Sequence, residues 1–192
     1  LDTLAVAGTH GKTTTSSMLA STLDGMGLDP TFLIGGIVRS YGTNAHSGKG
    51  EYYVVEADES DKSFTFLSPA GVIVTNIEAD HLDHYKDLGE IFEKFKQFMA
   101  SVPEDGPVVV CGEEQALVDA AREVHPRAIT YGMKEGCDAR VVEFGPHGVG
   151  SSFVLELPDG TRVSGKVKQN PGVHNVLNAA AVLTLIWALG LD

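Results

Sequence analysis

The run Gly8-Thr9-His10-Gly11-Lys12-Thr13-Thr14-Thr15 sets two glycines, a lysine and a row of threonines side by side. That combination suits the capture of a polyphosphate. Glycines let backbone N–H groups close on phosphate oxygens that side chains would obstruct. Lys12 supplies a point charge for the β and γ phosphates, and Thr13 a hydroxyl for Mg2+. The loop is shorter than the usual form, because the customary first glycine would fall at Val6 and Gly8 stands instead. The bland alternative is a tight turn with a surface lysine. A dinucleotide loop is set aside: GxGxxG is absent, and Lys-Thr-Thr does not suit a pyrophosphate bound without metal.

Two acidic clusters follow, Glu56-Ala57-Asp58-Glu59-Ser60-Asp61 and Asn76-Ile77-Glu78-Ala79-Asp80-His81-Leu82-Asp83. Each comes directly after a short apolar, β-branched run. In a parallel sheet both clusters therefore lie at the C-terminal strand edge, where the glycine loop also sits. Carboxylates aimed at a triphosphate require cations between them, so Mg2+ is expected, held by few protein ligands plus phosphate and water. His81 among hard oxygen ligands suits Mn2+ at least as well. Solvated loops with helix-capping acids are the competing reading.

The elements that position these groups alternate. Thr3 to Ala7 reads as a strand, and Lys12 to Gly27 as a helix with Met18, Leu19, Leu23 and Met26 on one face. Phe32 to Ile34, Tyr52 to Val55 and Val72 to Thr75 read as strands, the last two of the buried type found in parallel sheets. Ser40 to Gly50 reads as a loop. Leu88 to Met99 is an aromatic-faced helix, whose Phe92, Phe95 and Phe98 are assigned to the core. Val108 to Cys111, Glu113 to Val124 and Ala128 to Tyr131 repeat strand, helix, strand. Beyond that point Arg140 to Phe144, Ser152 to Leu157 and Arg162 to Val167 are strands without helices between them, the last two joined by Pro158-Asp159-Gly160 as a hairpin. A final helix starts at His174 or Asn175 and ends near Leu189, with Asn175 a candidate cap. The fold class is α/β: a P-loop-type, mostly parallel sheet with helices on both faces, plus a small antiparallel meander near the C-terminal end.

Composition narrows the function. The 192 residues carry 26 acids against 14 Lys and Arg, a formal charge of −12. That argues against a nucleic-acid partner, which needs a basic footprint. The length fits one domain at about 150 residues per domain, and the longest apolar run, Ala179 to Leu191, falls short of the roughly 20 residues a membrane span needs. Cys111 and Cys137 form no CxxC pair, which excludes a disulfide scaffold or zinc site and fits a reducing, cytoplasmic setting. No initiator Met opens the sequence, as in a piece of something longer.

Taken together, the glycine loop, Glu56 to Asp61, Thr75 to His81 and His174-Asn175-Val176-Leu177-Asn178-Ala179 resemble the Mur ligases, and Gly35-Gly36 with Gly42-Thr43-Asn44-Ala45 resembles the alanine-adding branch. The resemblance covers residues 1–192 as that family's central ATP-binding domain, without the N-terminal UDP-binding and the C-terminal domains. It implies ATP-driven amide formation between UDP-N-acetylmuramate and L-alanine through an acyl phosphate, in peptidoglycan synthesis. It also implies roles. Gly8, Thr9, His10, Gly11, Lys12, Thr13 and Thr14 would cradle the triphosphate. Thr13 and Glu56 would hold one Mg2+ and His81 a second, while His174, Asn175 and Asn178 would line the adenine pocket. Thr43, Asn44 and Ser60 would face the muramyl substrate, and Lys12, Glu56 and His81 would carry the chemistry.

The branch that recycles a whole tripeptide carries Tyr in place of Ser60 and Asn-Asn-Leu-Glu in place of Thr75-Asn76-Ile77-Glu78; this chain sides with the alanine branch at both. Rival readings are that tripeptide ligase, a P-loop module that binds ATP without ligase chemistry, and a small-molecule kinase.

Overall fold

The structure is a computed structural model of the 192-residue chain, and it describes residues 1–60, 63–78, 88–168 and 171–191. Fifteen segments of regular structure occur among them. The first half runs β1 (Asp2–Ala7), α1 (Lys12–Gly25), β2 (Thr31–Val38), β3 (Thr43–His46), β4 (Tyr52–Glu56), α2 (Ser63–Phe66) and β5 (Gly71–Val74). The second half runs α3 (Leu88–Ala100), β6 (Val108–Cys111), α4 (Gln115–Val124), β7 (Ile129–Gly132), β8 (Ala139–His147), β9 (Gly150–Glu156), β10 (Arg162–Val167) and α5 (Val173–Ala188).

All ten strands join one sheet in the order β10-β9-β8-β7-β6-β5-β1-β4-β2-β3. From β2 to β8 the neighbours run parallel, whereas β3, β9 and β10 pair antiparallel. Every residue of β5 and β6 is buried, so layers cover the sheet on both faces, as continuous Val-rich strands require. Helices α1 and α5 pack on each other, and α3 packs with α2 and α4. Phe64 stacks on Phe98 at 4.4 Å and meets Phe95 edge-on at 5.3 Å, so the aromatic stripe of α3 is core. Lys96 on the same helix pairs with Glu123 at 2.9 Å and Glu93 at 3.2 Å.

Two expectations change, and a third gains detail. The segment 40–50 is not all loop, because Thr43–His46 pairs with β2 as an edge strand. Its polar residues carry no alternating apolar signal; the His46 ring instead meets those of Phe32 and Tyr41, the three centroids lying 4.5–5.7 Å apart. The antiparallel meander expected near the C-terminal end is present, and it extends the sheet, since β8 pairs with β7 through Tyr131↔Ala139 and Gly132↔Arg140. Helix α5 starts at Val173 with Gly172 in the cap position, which places Asn175 inside the helix rather than at its cap.

Among the described residues no helix is long and apolar enough to cross a membrane. Burial pushes the Cys111 thiol up to about 11, and raises Cys137 as well, which disfavours thiolate chemistry at both. The only tryptophan, Trp187 on α5, is half-buried and donates from Nε1 to Asp159 Oδ2 at 3.3 Å, tying the hairpin turn to the helix. Hydrogen bonds from the Thr161 backbone and hydroxyl, then from Trp187, hold the Asp159 carboxyl below its ordinary value. A depressed carboxyl contributes stability above its unfolded pKa and loses it as pH falls through the folded one. The turn should therefore stay docked above pH of about 4, and Trp187 fluorescence should shift on acidification below that. Asp159→Asn should remove the acid-dependent shift.

Candidate functional site

Strand β1 lies between β4 and β5, so the loops that follow all three strands meet at one sheet edge. The glycine loop is the centre of this meeting. Gly8 and Gly11 have φ of 138° and 87°, in the region that L side chains avoid. A Cβ on Gly8 would also overlap Thr75 Oγ1, so nothing larger fits. Helix α1 begins at Lys12 with Gly11 in its cap position and no side-chain cap, which leaves first-turn N–H groups for a ligand.

The loop is held by the segment after β5. His10 N donates to Asn76 Oδ1 at 2.8 Å, while Thr75 Oγ1 and Asn76 Nδ2 donate to the His10 carbonyl at 2.6 and 3.0 Å. Thr9 N donates to Asn76 O at 3.1 Å, and Glu78 N donates to Thr9 Oγ1 at 2.7 Å. The His10 ring stands 3.2 Å from Glu78 Oε2. Thr9 and His10 are thus wall residues of the loop. Residue type assigns Thr75, Asn76 and Glu78 no role in that wall; Thr75 reads as a strand end and Asn76 and Glu78 as members of the second cluster.

Lys12 and Thr13 point to different partners. Lys12 Nζ donates to the Gly8 carbonyl at 2.8 Å and lies 3.6 Å from Glu59 Oε2. Thr13 Oγ1 donates to Glu56 Oε1 at 2.7 Å, and the Gly35 amide donates to Glu56 Oε2. A Cβ on Gly35 would stand 2.8 Å from that oxygen and 3.3 Å from Thr13 Oγ1. The glycine pair within β2 is therefore what lets hydroxyl and carboxylate come together.

That pair is a fit for a hard divalent cation, which takes oxygen donors and completes its shell with phosphate and water. Among the described residues no group of three or more His, Cys, Asp or Glu could hold a metal ion by itself. His81, with Asp80 and Asp83, lies outside the described residues, as does Asp61 of the first cluster.

The final helix supplies the remaining wall. A Cβ on Gly11 would stand 3.2 Å from Asn178 Oδ1, so Asn178 closes on the loop. Asn175 lines a cleft of about 750 Å3 together with Thr13 and Thr14, and Arg39, Lys166 and Lys168 add positive charge to its walls. His174 is exposed on the first turn of α5. Two expected substrate residues sit apart on the edge strand, where the Thr43 hydroxyl bonds the backbone of Ala45 and Asn44 is exposed. Ser60 is turned onto its own loop, donating from N and Oγ to Asp58 Oδ1 at 3.0 and 2.8 Å.

A parallel sheet whose first strand enters a helix through a glycine-lysine-threonine loop defines an α/β domain of the P-loop type. The chain belongs to the Mur ligase family: the model described as Mur ligase middle domain matches residues 6–186. It is 46% identical over 98% of its length to a UDP-N-acetylmuramate–L-alanine ligase of Geotalea uraniireducens, and 44% identical over 98% to one of Legionella pneumophila. The chain spans about two fifths of these relatives, 41% and 40% of their lengths.

Among solved structures, UDP-N-acetylmuramate-alanine ligase of Thermotoga maritima superposes with a TM-score of 0.84 at 31% identity, over 100% of this chain and 42% of that one. The UDP-N-acetylmuramate:L-alanyl-gamma-D-glutamyl-meso-diaminopimelate ligase of Neisseria meningitides gives 0.83 at 34%, over 99% and 62%. The family and the fold expected from the sequence are both borne out.

Proposed function

We propose that residues 1–192 are the ATP-binding domain of a ligase that joins L-alanine to UDP-N-acetylmuramate, working with flanking N- and C-terminal domains. The observation that carries this is the cradle: two positive-φ glycines, an uncapped helix start, and Lys12 and Thr13 beside Glu56. The 46% identical relative bears the alanine ligase name.

In this reading the loop amides and Lys12 bind the β and γ phosphates, and Asn175 and Asn178 meet the adenine. The muramate carboxylate attacks the γ-phosphoryl group to give an acyl phosphate and ADP, and the amine of L-alanine then displaces phosphate. Such a transfer rests on positioning and charge neutralisation rather than on covalent help from the protein. Mg2+ held by Thr13 and Glu56 supplies part of that neutralisation. Thr13 would turn its hydroxyl lone pairs outward, and Gly35 N–H would keep Glu56 aimed. His81, Thr43, Asn44 and Ser60 remain proposed ligands for a second cation and the muramyl substrate.

The test is calorimetric titration of Mg-ATP into the chain, repeated with EDTA and with Lys12→Ala. Binding should require the metal. Lys12→Ala should weaken it roughly ten- to a hundredfold, the range of a charge-assisted hydrogen bond. The 192-residue chain alone should form no UDP-muramyl-alanine, because an acyl phosphate needs domain closure against water. ATP affinity indifferent to EDTA, or amide formed by this chain alone, would overturn the reading.

A further inference from the structure

Among the described acids of the first cluster, Glu59 is the one that turns inward. Glu56 serves Thr13 and Gly35, and Asp58 serves Ser60, but the Glu59 side chain is 1% exposed and its carboxylate lies 3.6 Å from Lys12 Nζ. At that distance the contact is an ion pair rather than a hydrogen bond. Lys12 itself is largely buried, at 14% side-chain exposure, and its short bond goes to the Gly8 carbonyl. So the lysine assigned to the triphosphate has an anionic neighbour within the fold.

We infer that Glu59 is a built-in anionic competitor for Lys12, which sets the affinity of the cradle for triphosphate below what the loop alone would give. This rests on the reading of the loop as a triphosphate cradle. Two effects oppose each other. The carboxylate restrains the ammonium beside Gly8, which favours binding by the modest entropy of a few rotamers. It also repels a polyanion from a buried position, where unit charges interact more strongly than at the surface. The repulsion is the larger effect, because the ligand carries several charges and the restraint concerns one side chain. Bound triphosphate then takes over the Lys12 charge that Glu59 shares in its absence, and Glu59 regains it when the nucleotide leaves. Such an exchange speeds release of a spent nucleotide.

The experiment is titration of ATP in Mg2+ into the wild-type chain, Glu59→Gln, Lys12→Met and the double variant, with adenosine as the uncharged probe. Glu59→Gln should bind ATP about tenfold tighter, leave adenosine unchanged, and lose its advantage when Lys12 is Met. Wild-type ATP binding that Lys12→Met weakens, with no tightening in Glu59→Gln, would overturn the inference and leave the cradle reading standing. Wild-type chain that binds no ATP would overturn both. Thermal unfolding gives a second measure should Glu59→Gln fold poorly. Lys12→Met leaves a buried carboxylate without its lysine, so adding Glu59→Gln to Lys12→Met should raise the midpoint. Independent, additive losses would refute the pairing.

Discussion

Gly8→Ala should abolish nucleotide binding at millimolar ATP while leaving the sheet folded. Two causes act together. The backbone at φ 138° is one that an alanine adopts only at a cost of about 1–3 kcal/mol. The new methyl would also overlap Thr75 Oγ1, whose hydroxyl bonds the His10 carbonyl. Relief requires Thr75 or the loop to move, and either movement undoes the bonds that orient residues 9–11. Circular dichroism should stay native, the melting midpoint should fall, and calorimetry should show no heat of ATP binding. Gly27→Ala is the control: Gly27 also has positive φ, but a Cβ there meets open space, so it should cost stability without touching affinity. An ATP-binding Gly8→Ala chain would show that the loop opens readily and that its shape is not what binds.

The second large effect belongs to Glu56. Its two oxygens are occupied separately, one by Thr13 and one by the Gly35 amide, so Glu56→Ala removes the proposed metal ligand and frees both partners. Outer-shell changes alone commonly cost ten- to a hundredfold in metal affinity, and loss of a direct ligand should reach roughly a hundredfold or more. The expected signature is specific: ATP affinity of Glu56→Ala with Mg2+ should fall to that of the wild type with EDTA. Glu56→Asp should recover part of it, because the charge stays while the reach shortens. A Glu56→Ala chain with undiminished response to Mg2+ would place the cation elsewhere.

The parallel half of the sheet was legible in the sequence because β1, β4, β5 and β6 are built on short apolar runs and Gly8, Gly11 and Lys12 stand at a strand-to-helix junction. The edge was not legible. Thr43–His46 is polar and solvent-facing, so no period of two marks it, and it is held by rings and by His46 on Asp29 at 3.1 Å. Strand β2 was read too short at Ile34, since Gly35 and Gly36 look like a turn; they continue the strand because Glu56 and Thr13 press against them. In the site, the glycine loop chemistry followed from residue type, and the pairing of Thr13 with Glu56 from the family resemblance. Which acid faces inward did not: Glu56, Asp58 and Glu59 differ only in how the chain turns after β4, and only the fold reveals that Glu59 reaches Lys12.

Asn178 stands against Gly11, so the last helix closes a loop that the first strand opens. Contacts of such long sequence separation form late and slowly, because the closure entropy must be met before they contribute. A partly folded chain can therefore own the glycine loop and the first parallel strands without owning a finished cradle. Nucleotide present during refolding should act on the final docking of α5 and leave the earlier pairing of β1 with β4 untouched.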